Sequence, residues 1–123
     1  MRLFLFLGAL NGFIAVALGA FGAHGLEGNI SEDAISVWEK AVQYQMFHAG
    51  ALLAVGLLFS KIKQTSLTTS GWFFFIGIIL FSGTLYTYAV TGITFFAIIT
   101  PFGGVAFLIG WILLGYTTLK NIE

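Results

Sequence analysis

Charged residues interrupt an otherwise apolar chain only at its ends and in two gaps. They are Arg2, Glu27, Glu32, Asp33, Glu39, Lys40, Lys61, Lys63, Lys120 and Glu123, and charge-free apolar stretches fill the rest. A charge at the centre of a bilayer costs roughly 2.5–3.5 kcal/mol on insertion scales, and a helix needs about 20 apolar residues to cross roughly 30 Å of hydrocarbon. The pattern therefore predicts four transmembrane helices, at approximately 3–23, 43–59, 72–90 and 101–119. Thr100 before Pro101 reads as an N-cap and first helical position, since proline's missing N–H is harmless there, so span four is expected to begin at that point. Trp72, Tyr88, Trp111 and Tyr116 lie towards span ends, where amphipathic rings favour the headgroup layer.

The gaps carry their own signals. Asn29 and Ser31 supply N-cap chemistry, Glu32 and Asp33 suit a positive helix start, and Ile35, Trp38, Ala41 and Val42 recur at helical spacing. A short amphipathic interfacial helix is expected to lead into span two. Residues 60–70 are polar, rich in Ser and Thr, and read as a short solvated loop. Residues 91–99 are apolar without a charge, and irregular backbone cannot lie unsatisfied in hydrocarbon, so a short interfacial helix or a segment packed on the bundle is expected.

Composition narrows the class. Hydrophobic residues make up 59% of the chain and charged residues 8%, against about 25% in soluble proteins, and the mean hydropathy is +0.99. The expectation is one all-α transmembrane domain over 1–123, in contact with the lipid bilayer. Five Lys and Arg balanced by five acids leave no basic footprint for nucleic acid, which is excluded as a partner. Cysteine is absent, which removes disulfides, thiolate chemistry and Cys-ligated metals. With four spans, Arg2, Lys61, Lys63 and Lys120 share one face and Lys40 stands alone on the other. The positive-inside rule then predicts both termini in the cytoplasm of a bacterial plasma membrane. Arg2, the apolar run and Ala20-Phe21-Gly22 imitate a signal peptide, but Asn11 and the close glycines point to a retained span.

Lipid tails are as apolar as leucine, so helix association in membranes relies on small residues that admit close approach. Gly8, Gly12, Ala15, Gly19 and Ala23 form such a stripe in span one, and Gly103, Ala106 and Gly110 form another in span four. Intramolecular packing is the favoured reading, with a homo-oligomer or membrane-protein partner as the alternative. Polar residues fall at comparable depths: His24, Tyr44, Gln45, His48, Tyr86 and Thr100 towards the outer side, Asn11 and Ser82 deeper. The first six are expected to form one outer-leaflet layer, and Asn11, near mid-bilayer with Ser82, to turn to a neighbouring helix. The favoured account is a hydrogen-bond clamp. A path for protons or a small polar solute past His48 and Asn11 is a second account, though no carboxylate lies in any span to extend it. Haem or metal ligation by His24 and His48 is a third, unsupported by any HxxxH, HExxH or CxxC spacing. No metal, cofactor or catalytic residue is assigned, and a non-enzymatic protein is favoured.

Four long stretches, GALNGFIAVALGAFGAHGL (Gly8 to Leu26), WEKAVQYQMFHAGALLAVGLL (Trp38 to Leu58), LFSGTLY (Leu80 to Tyr86) and ITPFGGVAFLIGW (Ile99 to Trp111), closely resemble the YwdK/YgdD-like family of small bacterial membrane proteins. The resemblance covers nearly the whole chain and implies a four-helix inner-membrane protein of unknown function. The family's GAHG and YQxxH patterns fall on residues 22–25 and on Tyr44, Gln45 and His48. Gly50 departs from it, standing where a bulkier apolar residue is usual, with looser packing beyond His48 as the expected result.

Overall fold

A computed structural model describes residues 2–122, which form helices joined by short turns; Met1 and Glu123 lie outside the described residues. Four helices are long and apolar enough to cross a membrane: Arg2–Leu26, Glu32–Leu58, Thr65–Thr91 and Thr94–Asn121. The first comprises α1 (Arg2–Phe21) and a π turn (Gly22–Leu26). The second is α2 (Glu32–Leu58). The third is α3 (Thr65–Gly77), a π segment (Ile78–Gly83) and α4 (Thr84–Thr91), and the fourth is α5 (Thr94–Asn121). At 1.5 Å per residue each is about 40 Å long, more than hydrocarbon alone requires.

Three expected boundaries change, each for an identifiable reason. Span four begins seven residues before Pro101, which lies inside α5. Gly92 closes α4 at φ +71, in the left-handed conformation that glycine adopts without penalty, and its N–H bonds the Tyr88 carbonyl. Only Ile93 then separates the helices, so residues 94–99 are the first turns of α5 rather than a separate interfacial piece. Proline at 101 costs α5 one hydrogen bond, to the Ala97 carbonyl, without ending it. Span three likewise starts at Thr65, and Ser70, expected in a solvated loop, is completely buried with its hydroxyl donating to the Gly110 carbonyl at 2.7 Å. Residues 32–42 are continuous with span two, capped by Ser31, whose side chain accepts from the Ala34 N–H.

α1 packs along α2, and α5 packs along α3, the π segment and α4. α2 and the third span meet in the middle, which leaves α1 and α5 on the flanks. The core holds Phe4, Leu52, Val55, Ile62, Leu67, Phe74, Ile78 and Phe107. Contacts of Gly56 with Leu5 and Gly71 with Phe4, and the 2.6 Å Ser66–Thr117 hydroxyl pair, gather Arg2, the Lys61/Lys63 turn and Lys120 at one end.

Close approach explains many of the glycines. A Cβ at Gly8 would lie 2.9 Å from the Ala49 carbonyl oxygen, one at Gly19 3.3 Å from Val42, and one at Gly110 2.8 Å from the Phe74 ring. Gly103 sits directly on the backbone of Leu80 and Phe81, and Ala15 is fully buried. Gly12, expected in the same stripe, faces open space: a Cβ there would have nothing within 4 Å. Gly50 also faces open space, so its small size loosens no internal contact. Gly103→Ala is expected to destabilise by about 1–3 kcal/mol through forced helix separation. Gly12→Ala is expected to be neutral or stabilising by up to about 1 kcal/mol through helix propensity. Thermal unfolding in detergent distinguishes the two, and an equal loss for both would contradict the packing described.

Candidate functional site: a divided polar layer

α2 carries Gln45 at its midpoint, about 20 Å from either end. Its side chain is buried and reaches both neighbours. The Tyr86 hydroxyl on α4 donates to Gln45 Oε1 at 2.7 Å, and Gln45 Nε2 donates to Asn11 Oδ1 on α1 at 3.0 Å. Asn11 Nδ2 completes the series by donating to the Leu7 carbonyl at 2.8 Å. Donor and acceptor alternate through all three groups, tying three spans together.

His48, one turn along, points to the other side. Its Nδ1 lies 2.7 Å from the Tyr44 carbonyl, which can only accept, so Nδ1 carries the proton. Nε2 then offers its lone pair to the indole N–H of Trp111 on α5, at 3.0 Å. The imidazole is stacked on Phe107 with ring centres 3.6 Å apart and planes 11° from parallel. Both nitrogens are committed, and an iron or zinc ion at Nε2 would have to displace Trp111.

The expected single layer is therefore two. Ser82 joins neither, donating instead to the Ala41 carbonyl at 2.8 Å and pinning the π segment to α2. Tyr44 contributes its carbonyl and its ring, 4.5 Å from Phe81, while its side chain stays partly exposed. The Thr100 hydroxyl meets that of Thr84 at 2.7 Å. His24 is exposed on the π turn and is not brought to His48. Among the described residues no group of three or more His, Asp or Glu is placed to hold a metal ion.

Two tryptophans belong to the site that residue patterns had placed elsewhere. Trp111 on α5 bonds His48, and Trp38 is buried, donating to the Leu18 carbonyl at 2.8 Å with its ring edge-on to Tyr86. An indole N–H in an apolar span must find an acceptor, and that requirement was the available signal. No buried side-chain nitrogen or oxygen among the described residues lacks a partner.

Beside His48 a groove separates α2 from α5, lined by Phe47, Phe81, Phe107, Leu108 and Trp111. It is almost wholly apolar and does not reach Gln45 or Asn11.

Residues 18–104 match a family described as a protein of unknown function, DUF423. The chain belongs to this family. Among its curated relatives, the UPF0382 membrane protein YwdK of Bacillus subtilis is 50% identical over 123 residues, covering 99% of this chain and 100% of the relative. The UPF0382 membrane proteins SERP0230 of Staphylococcus epidermidis and SAB0533 of Staphylococcus aureus are 50% and 52% identical over 120 residues, each covering 98% of both chains. No solved structure matches. This DUF423 chain is thus a bacterial membrane protein with four candidate spans, as the resemblance to YwdK/YgdD-like proteins implied.

In this DUF423 protein, Gln45→Ala and His48→Ala are expected to lower the unfolding temperature in detergent by similar amounts, because each leaves buried partners unpaired. Tyr86→Phe and Trp111→Phe, which remove one donor each, are expected to cost about 1–2 kcal/mol or less. A selective effect of only one arm would show that the two networks are not equivalent clamps.

Proposed function

We propose that this protein is a structural or accessory component of the plasma membrane, and that its polar residues hold helices together rather than conduct a solute. The observation that carries this reading is the closure of the networks: Tyr86, Gln45 and Asn11 spend their hydrogen bonds on one another and on backbone, as do Trp111 and His48. A conducting path needs groups that exchange partners with water or solute, and a proton path needs carriers that continue across the bilayer. Neither requirement is met by amides and an imidazole bonded to different neighbours: the cavity beside Asn11, Gln45 and Tyr86 is otherwise lined mainly by apolar side chains such as Leu10, Ile14 and Phe75, and the groove beside His48 is apolar. The same closure argues against haem or metal ligation by His48.

In this reading both termini face the cytoplasm, on the side marked by Arg2, Lys61, Lys63 and Lys120. The first turns of α2, with Glu32, Asp33, Glu39 and Lys40, ride in the outer headgroup layer as an amphipathic extension of the span.

Purified protein reconstituted in liposomes is expected to raise neither proton nor small-solute flux above that of empty vesicles. A saturable flux abolished by Gln45→Ala would replace this reading with transport. Reporter fusions at each terminus are expected to signal cytoplasmic location, and an external carboxyl terminus would overturn the orientation.

A further inference from the structure

α2 has a second face that the described residues leave largely uncovered, with the Trp111 ring reaching its Phe47 edge at 5.7 Å. Trp38, Ala41, Gln45, His48, Leu52 and Val55 form its buried side. Diametrically opposite, at about 100° per residue, lie Lys40, Gln43, Phe47, Gly50, Ala54 and Leu57. Their spacing of three, four, three, four and three is that of a coiled-coil seam, in which Lys40, Phe47 and Ala54 occupy one set of positions and Gln43, Gly50 and Leu57 the other. Phe47 is 66% and Leu57 65% exposed, and Gly50 faces open space.

Two features of this face say what covers it. Gln43 is exposed, makes no side-chain hydrogen bond to a described residue, and lies across the groove from Gly104, Val105 and Leu108, at a level where α5 is wholly apolar. Lipid tails offer an amide nothing, whereas an amide both donates and accepts, so the same residue related by a two-fold axis satisfies it. Glu39 and Lys40, also exposed, form no ion pair among the described residues. In a parallel pair of α2 helices, Lys40 falls opposite its own copy, and Glu39 of each partner lies beside it and offsets that like-charge contact at the outer end of the seam. Gly50 and Ala54 then allow the backbones to approach, with Phe47 entering the shallow recess between Met46 and Ala54.

We propose that the protein forms a parallel two-fold dimer through the α2 seam of Gln43, Phe47, Gly50 and Ala54. The inference deepens the structural reading by naming its partner as a second copy of the chain. It does not depend on the absence of transport.

The chain has no cysteine, so single substitutions report contacts without background. Gly50→Cys and Ala54→Cys, oxidised mildly in native membranes, are expected to give a covalent dimer. Phe13→Cys on α1 and Ile79→Cys in the π segment, exposed on other faces, are expected to give little. Equal crosslinking from all four, or none from the seam, would overturn the proposal, the latter meaning that lipid or another protein covers it. In dilution-dependent energy transfer between labelled copies in lipid vesicles, Gln43→Leu is expected to weaken the dimer about tenfold. Its unfolding midpoint should be unchanged, because Gln43 has no internal partner. An undiminished dimer would exclude the amide pair and with it the proposed register. Vesicles that conduct while the seam still crosslinks would retire the functional reading and leave the dimer standing.

Discussion

Hydrocarbon offers no hydrogen-bond partner, and the interior of this bundle is arranged around that constraint. A polar side chain there must find its complement on a neighbouring helix, so each one fixes a distance and a rotation between two spans. Gln45 and His48 are one turn apart on α2 and point to opposite neighbours, which makes α2 the helix against which the others are positioned. Ser82 on the Ala41 carbonyl, Ser70 on the Gly110 carbonyl and Trp38 on the Leu18 carbonyl repeat the device with backbone as acceptor.

Such bonds form only if helices approach closely, and small residues opposite rings make this possible. Gly71 receives Phe4, Gly77 receives Phe107, Gly110 receives Phe74 and Gly22 receives Trp38. Each ring fills the space that a side chain would have taken, and the same rings build the core. Phe107 belongs to both systems, since it stacks on His48 while pressing on Gly77. Dispersion packing and hydrogen bonding thus share one side chain at Phe107.

Much of this was legible in the sequence, and the exceptions share a cause. The charge pattern located four spans because burying charge is costly regardless of fold. Gln45, His48, Tyr86 and Asn11 stood out because polar groups at depth require partners. Which partner each would take depends on helix rotation, and that is set by non-local contacts: His48 meets Trp111 rather than His24 because α2 turns that edge towards α5. Boundaries failed where local signals were overridden. Pro101 carries a helix-start signal, but the left-handed cap at Gly92 ends α4 so early that α5 starts at Thr94 and carries the proline inside it. Ser70 looked like loop because its acceptor, the Gly110 carbonyl, lies 40 residues away.

The division of contacts between α1 with α2 and α3–α4 with α5 has a consequence for biogenesis. Each pair is a hairpin whose closest packing is internal, through Gly8, Gly19 and Trp38 in the first and Gly77, Gly103 and Gly110 in the second. The first can enter the membrane and close on itself before the second has been synthesised. The bonds left for docking the two hairpins are Tyr86 to Gln45, Trp111 to His48 and Ser82 to Ala41, so the polar residues of α2 are solvent-poor and half-satisfied until the second hairpin arrives. Until then the first hairpin exposes an incomplete polar edge, with Gln45, His48 and the Ala41 carbonyl each short of one partner.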